Sequence, residues 1–300
     1  MIYDQPDIRV AGDRHVILYF GDEFNIKLNF MAQSLAQQIA AQRIPGINET
    51  VPHFASLLIQ YDPDVLASSD LRRVIQRLVD GTGNFDDVEL ESRLISLPVL
   101  YFDPWTKECV EDYCRTIKSK VLDSDLVMSV NGLKNARELI MAHSSTEYWV
   151  ASVGFRPGLP CCLPLDPRFR LKAPKYDPPR TWTPRGAIGV GGAATGFYAT
   201  ASAGGYQIFA RTPLPIWDIT RQYPPFRENA CLVRPGDRLK LIPIDLEEYK
   251  MIETSLAAGS YVFNIACYQK FSVGLYTEWL KSLQSESQTV SDHLRDPANA

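Results

Sequence analysis

The chain has 300 residues, of which 45% are hydrophobic and 22% charged, with a formal net charge of −4. That length accommodates two domains and a small third, and the composition is that of an ordinary globular protein. The acidic balance and the lack of any lysine-arginine cluster exclude electrostatic binding to nucleic acid.

Residues 8–20 hold two apolar runs split by Gly12-Asp13, which reads as a strand with a turn in it. Gly21-Asp22 then opens a helix whose Leu28, Met31, Leu35 and Ile39, with Ala32 and Ala36, share one face, and Pro45-Gly46 ends it. Val51-Pro52 and Ser56–Tyr61 read as strands. A second helix begins near Ser69 and sets Leu71, Val74, Ile75, Leu78 and Val79 on one stripe. After a polar segment, 80–91, Leu94–Tyr101 is another strand. The order βαββαβ predicts a ferredoxin-like two-layer domain over residues 1–101.

Asp103-Pro104 marks a boundary, followed by helical patterns at 107–121 and 134–143 and a strand at Tyr148–Val153. From Gly154 to Pro213, glycine and proline recur every few residues between short apolar runs. Proline lacks a backbone donor and glycine costs about 1 kcal/mol against alanine in a helix, so this stretch suits short strands and tight turns. Phe155 and Phe209 are expected in the core. The turn Arg234-Pro235-Gly236-Asp237 precedes a further strand. A helix over Glu247–Ala257, a strand over Tyr261–Ala266, a helix over Gly274–Leu283 and a frayed polar end, 284–300, complete the expectation.

The chemistry is narrowed mainly by elimination. His15, His53, His143 and His293 form no metal-binding pattern, and His143 reads as a capping or packing residue at a helix end. Cys109, Cys114, Cys161, Cys162, Cys231 and Cys267 show no C-x-x-C pair, and Cys161-Cys162 reads as two reduced thiols on a strand. Gly189–Ala194 matches the G-x-G-x-x-A form of a dinucleotide loop, but turn and strand residues follow instead of a helix. The first residues have neither a basic n-region nor an apolar h-region, and no run of 18 apolar residues occurs. Together these predict a reduced, cytoplasmic protein with no membrane segment and no metal. Arg180, beside Pro179, and Arg211, before Thr212-Pro213, stand out because a guanidinium fork suits carboxylate, ureido or carbamate oxygens. Surface ion pairs are the alternative reading.

These residues also carry a resemblance. The chain resembles the allophanate hydrolase subunit 1 family, the carboxyltransferase domain subdomains C and D, which includes the 5-oxoprolinase B protein, the kinase inhibitor KipI and a segment of urea carboxylase. The motifs are Gly154–Gly158, Pro174-Lys175, Pro179-Arg180, Pro184–Ile188, Thr195–Tyr198, Ser202–Tyr206 and Ala210–Pro213. Gly21-Asp22 and Arg234–Asp237 extend the match over about residues 8–245, and residues 246–283 resemble the segment that follows this domain in urea carboxylase. Lys175, Ala203 and Tyr206 replace the usual arginine, proline and tryptophan.

The resemblance implies an α+β fold: the ferredoxin-like domain (1–101), a helical linker and cyclophilin-like β-barrel (102–245), and a urea-carboxylase-like extension (246–300). It implies one half of an amide-processing enzyme, inactive alone and completed by an allophanate hydrolase subunit 2 protein, or its 5-oxoprolinase C-type equivalent. In the carboxyltransferase form, biotin on a partner's carrier and ATP used by a partner biotin carboxylase serve a urea-like substrate, with no cofactor bound covalently to this chain. Arg180 and Arg211 would be the catalytic groups, with Thr195, Tyr198, Gly158 and Gly191 against the substrate. The alternatives are a 5-oxoprolinase B-type protein working with a LamB/YcsF-type protein, and a KipI-like inhibitor of a histidine kinase.

Overall fold

The computed structural model describes residues 1–267 and 269–283. They form two compact units: residues 1–91 with the described residues from Lys270 on, and Ser92–Gln269.

In the first unit, β1 (Ile2–Val10), β2 (His15–Gly21), β3 (Ile47–Pro52) and β4 (Ser56–Tyr61) make an antiparallel sheet in the order β1-β2-β4-β3. The predicted turn at Gly12-Asp13 joins β1 and β2. Helices α1 (Ile26–Gln42) and α2 (Ser68–Asp80) supply the second layer. The α1 helix starts later than expected, where Asn25 Oδ1 accepts from Lys27 N at 3.0 Å. Leu28, Ala32, Leu35 and Ile39 of α1 and Leu71, Ile75 and Leu78 of α2 are buried as their spacing predicts. Each large side chain so buried contributes about 1.5–3 kcal/mol. A short strand, β5 (Glu89–Glu91), pairs with the returning strand Lys270–Ser272, after which a helix runs over 273–283. Phe271 and Tyr276 of this return pack on Phe30 of α1 at 5.3 and 5.5 Å between ring centroids.

The expected βαββαβ order does not form. Strand β6 (Leu94–Tyr101), read as the last strand of that domain, belongs to the second unit, and the edge beside β2 is taken by β1. The reason lies in β6 itself. Its near-continuous apolar run, buried on both faces over most of its length, suits a strand running parallel to a neighbour inside a barrel.

In the second unit β6 is followed by α3 (Pro104–Thr116), α4 (Asp123–Val130) and α5 (Ala136–Ser144). Next come β7 (Glu147–Val153), β8 (Pro160–Pro164), β9 (Ala187–Gly191), β10 (Ala194–Phe197), β11 (Gln207–Arg211) and β12 (Arg238–Ile244), then α6 (Leu246–Ala257) and β13 (Ile265–Ala266). The strands run in the order β11-β9-β10-β8-β7-β12-β6, and β11 pairs back onto β6, closing a seven-stranded barrel. The closed barrel is consistent with the cyclophilin-like form expected. Val150, Ile188, Phe197, Phe209 and Leu239 lie in its core. Phe155 does not: it is 76% exposed, because the turn after β7 holds it at φ 67° and aims its ring outward. The predicted Arg234–Asp237 turn is tied by Asp237, whose carboxylate accepts from Arg234 N at 2.7 Å and from Arg93 Nε at 2.9 Å. Of the expected extension, residues 246–267 and Gln269 belong to the barrel unit and 270–283 to the first, while the expected frayed end 284–300 lies outside the described residues.

Candidate functional site

The two arginines singled out by sequence lie in different surroundings. Arg180 leaves a short antiparallel bridge, in which it donates to Gly204 O at 2.9 Å and accepts from Gly204 N at 3.1 Å. Its side chain then turns inward and is fully buried. Nη1 donates to Tyr206 O at 2.6 Å and lies 3.6 Å from Asp123 Oδ2. Nη2 donates to Tyr198 Oη at 3.4 Å, Nε to Thr183 Oγ1 at 3.3 Å, and the guanidinium sits 4.4 Å over the Tyr176 ring. Asp123 in turn accepts from Tyr176 Oη, Lys120 Nζ and Ile208 N, the last at 2.7 Å. Lys120 also donates to Gln207 Oε1 at 2.8 Å. Two cations thus surround one carboxylate, and the Arg180 fork is committed to the protein. Burial pushes the Tyr198 and Tyr176 phenols above their ordinary range, while Arg180 pulls both the other way.

Arg211 ends β11 and is half-buried. Its Nε donates to Arg185 O at 2.8 Å, which orients the fork, and neither Nη atom has a hydrogen-bond partner among the described residues. The guanidinium lies 4.4 Å over the Trp105 ring and 5.6 Å over that of Tyr249. Trp105 is placed there by the start of α3, where Asp103 caps the helix by accepting from Trp105 N at 3.1 Å and Thr106 N at 2.9 Å. Burial raises the Asp103 carboxyl, against those hydrogen bonds and the charge of Arg211. Tyr249 comes from α6, which the Asp245–Glu248 capping box begins.

The other predicted residues are distributed between these places and the barrel interior. Tyr198 belongs with Arg180. Gly191 packs under the Tyr206 ring, where a Cβ would come within 2.3 Å of a ring carbon. Gly158, at φ +72°, lies so close to Trp217 that a Cβ would stand 2.5 Å from its Cβ. Neither glycine has room for a side chain. Thr195 lies inside the barrel, with Oγ1 3.4 Å from His143 Nε2, and His143 Nδ1 lies 3.0 Å from Tyr101 Oη. His143 is a packed core residue, as expected of it. Cys161 and Cys162 are neighbours on β8, unbonded, and burial raises both thiols. Gly189–Ala194 spans the end of β9, the Gly192-Ala193 turn and the start of β10 and opens no helix, so it is not a phosphate loop.

Sequence reasoning missed Asp123, Lys120, Trp105 and Tyr249. Trp105, directly after the Asp103-Pro104 helix start, carries the clearest local signal of the four. No cluster of three or more His, Cys, Asp or Glu able to hold a metal occurs among the described residues, and no described helix is long and apolar enough to cross a membrane.

Residues 6–227 match the family described as carboxyltransferase domain, subdomain C and D. The chain is 30% identical over 289 residues to urea amidolyase of Saccharomyces cerevisiae, a match that covers 94% of this chain and 15% of that protein. It is 30% identical over 256 residues to the B component of 5-oxoprolinase from Bacillus subtilis, covering 81% of this chain and 94% of that protein. The crystal structure of Kluyveromyces lactis urea carboxylase superposes with a TM-score of 0.82 at 25% identity over 97% of this chain and 27% of that one. The chain therefore spans about a sixth of the urea amidolyases it matches, and nearly all of a 5-oxoprolinase B protein. On these grounds it belongs to the carboxyltransferase domain, subdomain C and D family.

Proposed function

We propose that this chain is the C–D portion of a carboxyltransferase-type enzyme acting on urea or a similar amide, completed by an allophanate hydrolase subunit 2 type partner. The observation that carries this reading is coverage. Likeness to the urea amidolyases and urea carboxylase runs over 94–97% of the chain, so it takes in the segment after β12, whereas likeness to 5-oxoprolinase B covers 81%.

Biotin on a partner's carrier would supply an activated carboxyl group, and ATP would be spent by a partner carboxylase. The residues present fit such a group at one place. Arg211 offers uncommitted Nη donors on a guanidinium held between two aromatic rings, a donor set suited to a carboxylate or ureido oxygen. In this reading Arg211 stabilises the negative oxygens that develop as the weakly nucleophilic amide nitrogen is carboxylated. Arg180, with Tyr198 and Asp123, fixes the loop and β11 and acts as a positioning residue. Thr195, against His143, takes no part in this reading.

One preorganised donor contributes about 3 kcal/mol to such a step. Arg211→Ala in the reconstituted complex is therefore expected to lower turnover about 10²-fold or more, with the melting temperature preserved. Unchanged turnover would remove Arg211 from the mechanism.

A second reading, a 5-oxoprolinase B-type protein, is favoured by the 94% coverage of the B. subtilis relative. A substrate screen of the complex separates the two. Bicarbonate-dependent ATP turnover on urea supports the first, and ATP-driven opening of 5-oxoproline without bicarbonate supports the second.

A further inference from the structure

Tyr249 is fully buried on α6, yet its hydroxyl makes no hydrogen bond among the described residues. Packing alone does not account for it. Its ring lies 5.2 Å from that of Trp105, tilted by 34°, and a phenylalanine would fill the same space without burying a polar atom. The charges that act on this phenol are those of Arg211, Glu253, Asp103 and Arg185. The Asp103 carboxylate is occupied by Trp105 N, Thr106 N and Thr106 Oγ1 at the helix cap, and Arg185 and Glu253 lie at the surface. What is left over is a phenol donor and the two Nη groups of Arg211, joined by their shared stacking.

The geometry points to a carboxylate subsite in which Arg211 presents its fork and Tyr249 donates a further hydrogen bond. The ligand class is the N-carboxylated amide, held by the carboxyl group it has just acquired. This rests on the carboxyltransferase reading for the identity of the ligand, though not for the donors themselves. A neutral amide gives the fork no anion to grip, so the subsite discriminates product-like carboxylates from the unreacted substrate. Tyr249 is thereby a binding residue that no sequence motif marks.

The test uses the full chain and malonamate, a stable analogue with CH₂ in place of the NH of an N-carboxylated amide, with neutral malonamide as the control. Calorimetric titration is expected to show malonamate binding and no malonamide binding. Tyr249→Phe should weaken malonamate about tenfold, the effect of losing one hydrogen bond to a charged group, with a melting temperature equal to or above that of the unaltered chain. Arg211→Gln should abolish binding. The subsite is overturned if the unaltered chain ignores malonamate, if Tyr249→Phe binds it equally well, or if that variant loses binding and melting temperature together. A second measurement separates this from the function proposed above. If malonamate binds as described but the reconstituted complex carboxylates no amide when given ATP and bicarbonate, the carboxyltransferase reading falls and the subsite stands. If the complex is active and Tyr249→Phe leaves its KM and kcat unchanged, the subsite falls and the function stands.

Discussion

The imidazole of His143 is enclosed by Tyr101, Tyr148 and Phe209, with ring centroids 5.8, 5.4 and 5.1 Å away. Burial in that setting lowers its pKa from 6.5 to about 3, so the folded barrel holds it neutral. The unfolded chain takes up a proton between those values and the native one does not. Stability is accordingly complete above pH 6.5 and is lost as the pH falls toward 3, by an amount on the order of 4 kcal/mol. Urea unfolding at pH 7, 5 and 4 is expected to show this loss, and a His143→Gln variant, which has no imidazole to protonate, should show a shallower one. At this scale the sequence was informative about type and silent about place. Arg180 and Arg211 look alike on paper, each within two residues of a proline, and only the fold shows one neutralised by Asp123 and the other stacked with free nitrogens. Asp123 lies far from Arg180 in the chain, and no spacing rule connects a lone aspartate to so distant an arginine.

Helix α4 gives Asp123 its importance. The carboxylate at its first residue joins the helix to β11 through Ile208 N and to the 174–180 loop through Tyr176 and Arg180. Removing it leaves the buried Arg180 without its carboxylate and near Lys120, a like charge that shared the same partner. Asp123→Ala is expected to destabilise the barrel unit by about 3–5 kcal/mol, read as a lower denaturation midpoint. Combining it with Arg180→Met should recover part of that loss, because the stranded charge is gone. The α4 helix escaped sequence reading because its eight residues carry no side-chain cap and only a weak apolar stripe. By contrast α1, α2 and α6 were legible, since their buried positions recur at helical spacing. Strand β6 was legible as a strand and misplaced in the fold: an apolar run specifies that both faces are covered, and says nothing of which sheet covers them.

At the scale of the molecule, the boundary between units falls at Glu91/Ser92 and again at Gln269/Lys270, so the chain enters the barrel unit once and returns. The first unit is completed only by its distant strand: Lys270–Ser272 pairs with β5, and Phe271 and Tyr276 cover Phe30. Residues 92–269 expressed alone are expected to fold cooperatively, whereas 1–91 alone should show a non-cooperative transition and exposed apolar surface. Adding a peptide of residues 270–283 should restore protection to the β5 amides, and hydrogen exchange would read it. No local pattern in the sequence announces this arrangement, because the two halves of the β5 pairing are separated by the entire barrel.

That separation sets an order of events as the chain leaves the ribosome. All of the barrel's strands emerge before Lys270, so the first unit waits, unfinished, while the barrel forms. In the folded barrel Ser92 N donates to Gln269 O at 3.0 Å, which holds the two ends of the insertion side by side. The loop-closure entropy that would oppose pairing of β5 with its remote partner is therefore borne by folding of the barrel. A substitution that slows barrel closure would, by this route, leave the other unit exposed to proteases for longer, although it touches none of that unit's residues.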